Sequence, residues 1–209
     1  MKISPAVCSL YLVTDRRLMT SATLEEGVAA AIRGGATIVQ LREKECSSRE
    51  FYETALRIKE ITDAAGVPLI INDRLDIAMA VDAAGVHVGQ KDLPPREVRR
   101  LLGPDKIIGV SAATLPEALQ AVADGADYLG VGAMFPTGTK TNTRPVTLAQ
   151  LTEICAAVPV PVVAIGGISR DNAPTLRGSG IAGPAVVSAI LAQPDIEQAA
   201  RELKQIFTR

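Results

Sequence analysis

Thr37-Ile38-Val39-Gln40-Leu41-Arg42-Glu43-Lys44 is the stretch on which the reading of this chain turns. In an extended strand alternate side chains share a face, so Gln40, Arg42 and Lys44 project together while Val39 and Leu41 point the other way. Two cations and an amide then meet at one place. A strand with one solvated polar face would account for the alternation taken alone. The apolar run ahead of it, however, reads as buried on both faces, and the polar residues crowd its C-terminal end. In a parallel α/β protein that end is where ligands bind.

Outward from this stretch the chain alternates β-rich runs with helical patterns. The runs fall at residues 10–14, 37–41, 68–72, 86–88, 106–111, 128–132, 161–165 and, least clearly, 185–187. Helical periodicity fills 23–33, 48–65, 75–83, 95–102, 115–123, 148–157, 170–177 and 188–207. Gly34-Gly35, Gly66, Gly103-Pro104 and Gly125 stand where helices should stop, because glycine accepts the left-handed C-terminal turn and proline cannot continue a helix. Ser48, with Glu50 in the first turn, suits a helix start. Such strand–helix repeats leave a closed (β/α)8 TIM barrel or an open doubly wound sheet. The count of eight favours the barrel, with 209 residues forming one domain, 1–209.

Composition excludes several functional classes. With 47% apolar residues the chain can bury a full core, and a formal net charge of −1 provides no overall field for nucleic acid or anionic lipid. Any anion must be met by a local cluster. No apolar run is long enough to span a bilayer and no signal-type segment opens the chain, so a cytoplasmic protein without a membrane partner is expected. Cys8, Cys46 and Cys155 are odd in number and far apart, which argues for free thiols rather than disulfides or a zinc site. Self-association into a homo-oligomer stays open.

The remaining strand ends carry groups that fit together chemically. Neither a complete dinucleotide fingerprint nor a P-loop occurs. Gly166-Gly167 follows the seventh strand and Ser188 follows the eighth at a helix start, the position of the phosphate site common in such barrels; paired glycines also serve as a plain tight turn. Asn72-Asp73 closes the third strand and Asp92 follows the fourth. Two carboxylates on neighbouring strand ends can share Mg²⁺, which takes few protein ligands and completes its shell with phosphate oxygens and water; Asp73 could equally cap the helix starting near Leu75. Ser111 ends the fifth strand. The sixth opens into a long polar loop with Phe135-Pro136-Thr137-Gly138-Thr139-Lys140, a flap carrying hydroxyls and a cation.

Taken together, these segments resemble the thiamin phosphate synthase family. The resemblance rests on Tyr11-Leu12-Val13-Thr14-Asp15, Gln40-Leu41-Arg42-Glu43-Lys44, Asn72-Asp73-Arg74, Gly85-Val86-His87-Val88-Gly89-Gln90 with Asp92-Leu93-Pro94, Ile108-Gly109-Val110-Ser111, the loop through Lys140, and Ala164-Ile165-Gly166-Gly167-Ile168. It implies a transferase that joins 4-amino-2-methyl-5-hydroxymethylpyrimidine diphosphate to 4-methyl-5-(2-phosphoethyl)thiazole with release of pyrophosphate. By matching positions, the resemblance assigns the pyrimidine diphosphate to Gln40, Arg42, Glu43, Lys44, Asn72, Ser111 and Lys140. Of these, Arg42, Lys44, Ser111 and Lys140 would be catalytic. It assigns Mg²⁺ to Asp73 and Asp92, and the thiazole phosphate to Thr137, Gly138, Thr139, Gly167, Val187 and Ser188.

The chain departs from the family pattern at Lys91, Asn142 and residues 180–184, the last including Pro184. Two alternatives remain in view, a thiazole tautomerase-like enzyme and a non-catalytic phosphate-binding regulator. The tautomerases use a histidine where this chain has Ala113, and a regulator would not need the carboxylate pair. His87, the single histidine, is expected to point into the barrel below its mouth, filling space and hydrogen bonding rather than moving protons.

Overall fold

A computed structural model describes residues 3–138 and 144–208. Eight strands form one closed, all-parallel barrel in chain order: β1 Tyr11–Val13, β2 Ile38–Leu41, β3 Leu69–Asn72, β4 Gly85–Val88, β5 Ile107–Ala112, β6 Tyr128–Val131, β7 Val162–Ile165 and β8 Gly183–Val186. The ring closes where Tyr11 pairs with Ala185. All eight expected strands are present. The eighth begins earlier than read, and Pro184 lies within it, opposite Ala164. Pairing of β8 with β1 starts one residue later, at Ala185, so the proline's missing N–H falls at the strand's first turn.

Side-chain alternation divides the buried residues into two cores. Leu12, Val39, Leu41, Ile71, Val86, Val88, Ile108, Val110, Leu129 and Val131 point outward and pack against the helices. Tyr11, Val13, Ile38, Ile70, Ile107, Tyr128, Val163 and Ala185 point inward. The inner core is closed at the N-terminal end by a 3-10 turn, Pro5–Cys8, through Val7 and Cys8. Filling the lower barrel with apolar side chains leaves only the C-terminal mouth for polar chemistry.

The outer layer comprises α1 Leu24–Arg33, α2 Ser48–Ala64, α3 Leu75–Ala80, α4 Pro95–Leu102, α5 Leu115–Ala123, α6 Leu148–Ala157, α7 Ser188–Leu191 and α8 Ile196–Thr208. Ser47, not Ser48, caps α2: its hydroxyl accepts from Glu50 N–H while the Glu50 carboxylate accepts from Ser47 N–H, a reciprocal capping box. Two expected helices come out differently. Residues 170–177 make only a 3-10 turn, Ala173–Leu176, with Pro174 in its first turn and the left-handed Gly178 just beyond it. The expected final helix is two helices, because Pro194 cannot donate to the preceding turn; Asp195 then caps α8 by accepting from Gln198 N–H at 2.9 Å. Cys8, Cys46 and Cys155 are free thiols. No helix among the described residues is long and apolar enough to cross a membrane.

Candidate active site

The mouth of the barrel opens into a cavity of about 160 Å³, lined among others by Gln40, Arg42, Asn72, Ser111, Thr137, Gly167, Val187 and Ser188. That is several times the ~30 Å³ share of one water, enough for part of a small organic ligand. Eight of the sequence-predicted residues therefore meet at one place. Gln40 is 5% exposed and donates through Nε2 to the Tyr11 hydroxyl at 2.9 Å. Arg42 enters the cavity just past the end of β2. Its N–H is held by Thr14 Oγ1 at 3.0 Å, and its Nη1 donates to Asp15 Oδ2 at 3.2 Å.

Asp15 anchors that arginine and was not singled out by the sequence. It is only 3% exposed and also receives Arg17 through Nε at 3.1 Å and Nη2 at 2.9 Å. The hydrogen bond from Arg17 holds its carboxyl below the usual range, against the effect of burial, with the charge of Arg42 adding to the same end. A carboxylate so fixed can hold the guanidinium of Arg42 in one orientation before any anion arrives.

The strand alternation expected through Lys44 stops at Leu41, where β2 ends. Arg42 turns inward, but Glu43 turns away from the cavity and accepts from Arg16 Nη2 at 3.1 Å, with its side chain 8% exposed. Glu43 is thus not among the residues that line this cavity; it lines an adjoining cleft together with Arg42 and Lys44. Lys44 swings sideways to form an ion pair with Asp73. Asp73 does not cap α3; Arg74 occupies that position. It adopts φ 61°, a left-handed conformation uncommon for a residue other than glycine. Its N–H donates to the His87 carbonyl at 2.8 Å, which ties the ends of β3 and β4 together. Such a strained residue costs on the order of 1–3 kcal/mol, and strain of this kind clusters at functional sites.

Asp92 lies beside Asp73, its Oδ2 accepting from Gly89 N–H at 2.7 Å. Burial pushes the Asp92 carboxyl up, against the Gly89 bond and with the neighbouring charge of Asp73 adding to it. At Asp73, burial acts upward but the Lys44 ammonium overrides it and holds the carboxyl low. Among the described residues no cluster of three or more His, Cys, Asp or Glu side chains could enclose a metal. A two-carboxylate set suits a hard cation that takes the rest of its shell from phosphate and water.

Across the mouth, Thr137, Gly167, Val187 and Ser188 line the β6–β8 side. Gly167 has φ 64°, and a Cβ there would meet the Pro136 carbonyl at 2.4 Å, so the loop after β6 rests directly on this turn. Gly138 has no heavy atom within 4 Å of where a Cβ would be, so it stands clear of the packed turn. Thr139, Lys140 and Asn142 lie outside the described residues.

His87 points into the barrel, 8% exposed, as expected. Its Nδ1 contacts the Tyr128 hydroxyl and its Nε2 the Ser111 hydroxyl, both at 2.9 Å, and Tyr128 contacts the Tyr11 hydroxyl at 2.6 Å. Sequence reading gave Tyr11 and Tyr128 no such role. Glycines facing them were a usable signal: a Cβ on Gly109 would lie 2.1 Å from Tyr128 Cζ, and one on Gly130 would lie 3.2 Å from His87 Cε1.

A family model described as thiamine monophosphate synthase matches residues 10–190, from just before β1 to α7. The thiamine-phosphate synthase of Clostridium botulinum is 58% identical over 201 residues, spanning 96% of this chain and 94% of that protein. The thiamine-phosphate synthase of Clostridium beijerinckii is 57% identical over 201 residues, 96% of each. Among solved structures, thiamine phosphate pyrophosphorylase from Pyrococcus furiosus matches with a TM-score of 0.90 at 40% identity, covering 97% of this chain and 96% of that one. With the barrel, the strand-end residues and these matches in agreement, the chain belongs to the thiamine monophosphate synthase family.

Proposed function

We propose that this protein is a transferase of thiamin biosynthesis that condenses 4-amino-2-methyl-5-hydroxymethylpyrimidine diphosphate with 4-methyl-5-(2-phosphoethyl)thiazole, giving thiamin phosphate and pyrophosphate. Family membership supports the reaction. The observation that carries the site assignment is Arg42, oriented by Asp15 in the cavity, with the Lys44–Asp73–Asp92 group just past the neighbouring ends of β2, β3 and β4. Gln40, Asn72 and Ser111 complete the diphosphate half, joined by Lys140 from the loop after β6. Thr137, Gly138, Thr139, Gly167, Val187 and Ser188 would receive the thiazole phosphate on the opposite side.

Asp73 and Asp92 would hold Mg²⁺. When bound, the ion would neutralise charge on the diphosphate and relieve the repulsion from Asp73 that adds to burial in raising Asp92. The protein's own groups account for the rest. The bond between the pyrimidine's primary carbon and the diphosphate oxygen breaks, and its electron pair leaves with pyrophosphate. The electron-rich aminopyrimidine spreads the positive charge left behind. Arg42, Lys44 and Lys140 meet charge that is greater in the transition state than in the bound substrate, so they lower the barrier rather than merely tighten binding. The thiazole nitrogen then gives its lone pair to the carbon, forming the new C–N bond. No proton has to move, and the β6–β8 side needs only to hold the thiazole in line. One barrel domain over residues 1–209, working on charged substrates in the cytoplasm, completes the reading.

The test is a two-substrate assay. Pyrophosphate and thiamin phosphate should appear in equal amounts and only when both substrates are present. Turnover of the thiazole alone would instead favour a tautomerase, and tight binding without product a regulator.

A further inference from the structure

Five groups on five different strands, from β2 to β1, β6, β4 and β5, form one line of hydrogen bonds across the barrel floor. Gln40 Nε2 contacts the Tyr11 hydroxyl at 2.9 Å, Tyr11 the Tyr128 hydroxyl at 2.6 Å, Tyr128 the His87 Nδ1 at 2.9 Å, and His87 Nε2 the Ser111 hydroxyl at 2.9 Å. Tyr11 is 1% exposed and Tyr128 fully buried. Glycine at positions 109 and 130 provides the room in which the Tyr128 and His87 rings lie, with centroids 5.5 Å apart. The line ends at Ser111, whose side chain faces the cavity.

Counting hydrogens gives the line a direction. Each phenol has one hydrogen to donate and the neutral imidazole has one N–H. With the Gln40 amide donating to the Tyr11 oxygen, Tyr11 has its own hydrogen left for Tyr128. Tyr128 can then give its hydrogen only to His87 Nδ1, so the imidazole hydrogen sits on Nε2 and is donated to Ser111. In the opposite direction Tyr11 would accept from both Gln40 and Tyr128, and its own hydrogen would be stranded in a buried site. Burial raises both phenols well above their ordinary range, so neither gives up its hydrogen to water.

We propose that this chain fixes His87 as the neutral Nε2–H tautomer and, by occupying a lone pair of Ser111, leaves the serine hydrogen aimed at the ligand. Tyr11, Tyr128 and His87 are then positioning residues that make Ser111 an obligate donor toward a phosphate oxygen. This deepens, and rests on, the assignment of Ser111 to the diphosphate.

One histidine in the chain makes the test direct. In ¹⁵N-histidine-labelled, ligand-free enzyme a single imidazole should appear with Nε2 protonated and Nδ1 bare and hydrogen bonded. A protonated Nδ1 would show that the chain runs the other way, with the Gln40 carbonyl accepting, and would overturn the proposal. In kinetics, His87→Gln, which keeps an N–H near the Nε2 position, should retain more turnover than His87→Asn, whose loss should be about tenfold. That loss should disappear in a Ser111→Ala background, because the histidine acts through the serine. Equal losses in both backgrounds would mean that His87 only fills space. A wild-type protein that makes no thiamin phosphate would sink the assigned reaction instead, while the tautomer, read without substrate, still decides the direction of the chain.

Discussion

Replacing Tyr128 by phenylalanine removes one oxygen from the barrel floor and little else, since the ring that fills the space beside Gly109 remains. The Tyr11 hydroxyl loses its 2.6 Å acceptor and His87 Nδ1 its 2.9 Å donor, in residues only 1% and 8% exposed. Each buried group left without a partner costs about 1–3 kcal/mol, so Tyr128→Phe should destabilise the fold by roughly 4 kcal/mol. At about 2–4 °C per kcal/mol for a chain of this size, the midpoint should fall by on the order of 10 °C. Tyr11→Phe strands a different group, the Gln40 amide. In the double variant the stranded groups are the Gln40 amide and His87 Nδ1; the Tyr11 hydrogen, which the single variant leaves unsatisfied, is gone. The double variant should therefore cost about 1–3 kcal/mol less than the sum of the singles. Urea unfolding of the four proteins with unchanged slopes measures this coupling. Additive changes, or a Tyr128→Phe effect below about 0.5 kcal/mol, would refute the buried chain.

Three further outcomes are expected. Asp92→Asn should raise the Mg²⁺ concentration needed for half-maximal turnover at least tenfold while leaving thermal stability equal or slightly higher without metal, because the charge that opposes Asp73 is removed; normal turnover at low Mg²⁺ would contradict the metal assignment. The depressed Asp15 carboxyl contributes stability that is complete above its unfolded value of about 3.9 and is lost as pH falls through its lower folded value. Wild type should therefore lose stability below about pH 4, and acid titration of Asp15→Asn, already less stable at neutral pH, should lack that component. In single-turnover measurements Lys140→Ala should slow the chemical step more than His87→Asn does, since a cation meeting the departing pyrophosphate matters more than one hydrogen bond behind Ser111.

Much of this fold is readable from residue order because barrel strands obey a period of two and helix ends carry their own signals. Val39 and Leu41 turned outward and Gln40 inward as alternation demands, and Gly35, Gly66, Gly103 and Gly125 all have positive φ at helix ends. The errors have local causes. Pro194, whose missing N–H cannot continue the turn before it, splits what periodicity alone presents as one last helix. Lys44 left the expected face because β2 stops at Leu41, and beyond it the ion pair with Asp73 decides direction. The strand-end residues that gather at the mouth were legible from their types and places. The hydrogen-bonded floor was not, because Tyr11, Tyr128 and His87 are far apart in sequence and meet only when the barrel closes.

Division of the mouth into a metal–diphosphate side and a thiazole phosphate side is central to the proposed reaction. A crystal structure with Mg²⁺ and pyrophosphate tests that division most directly. It should show the ion on Asp73 and Asp92 and the pyrophosphate held by Arg42 and Ser111, with Lys44 released from Asp73. Pyrophosphate bound instead at Gly167 and Ser188, with Lys44 still paired to Asp73 and no metal on the aspartates, would contradict it.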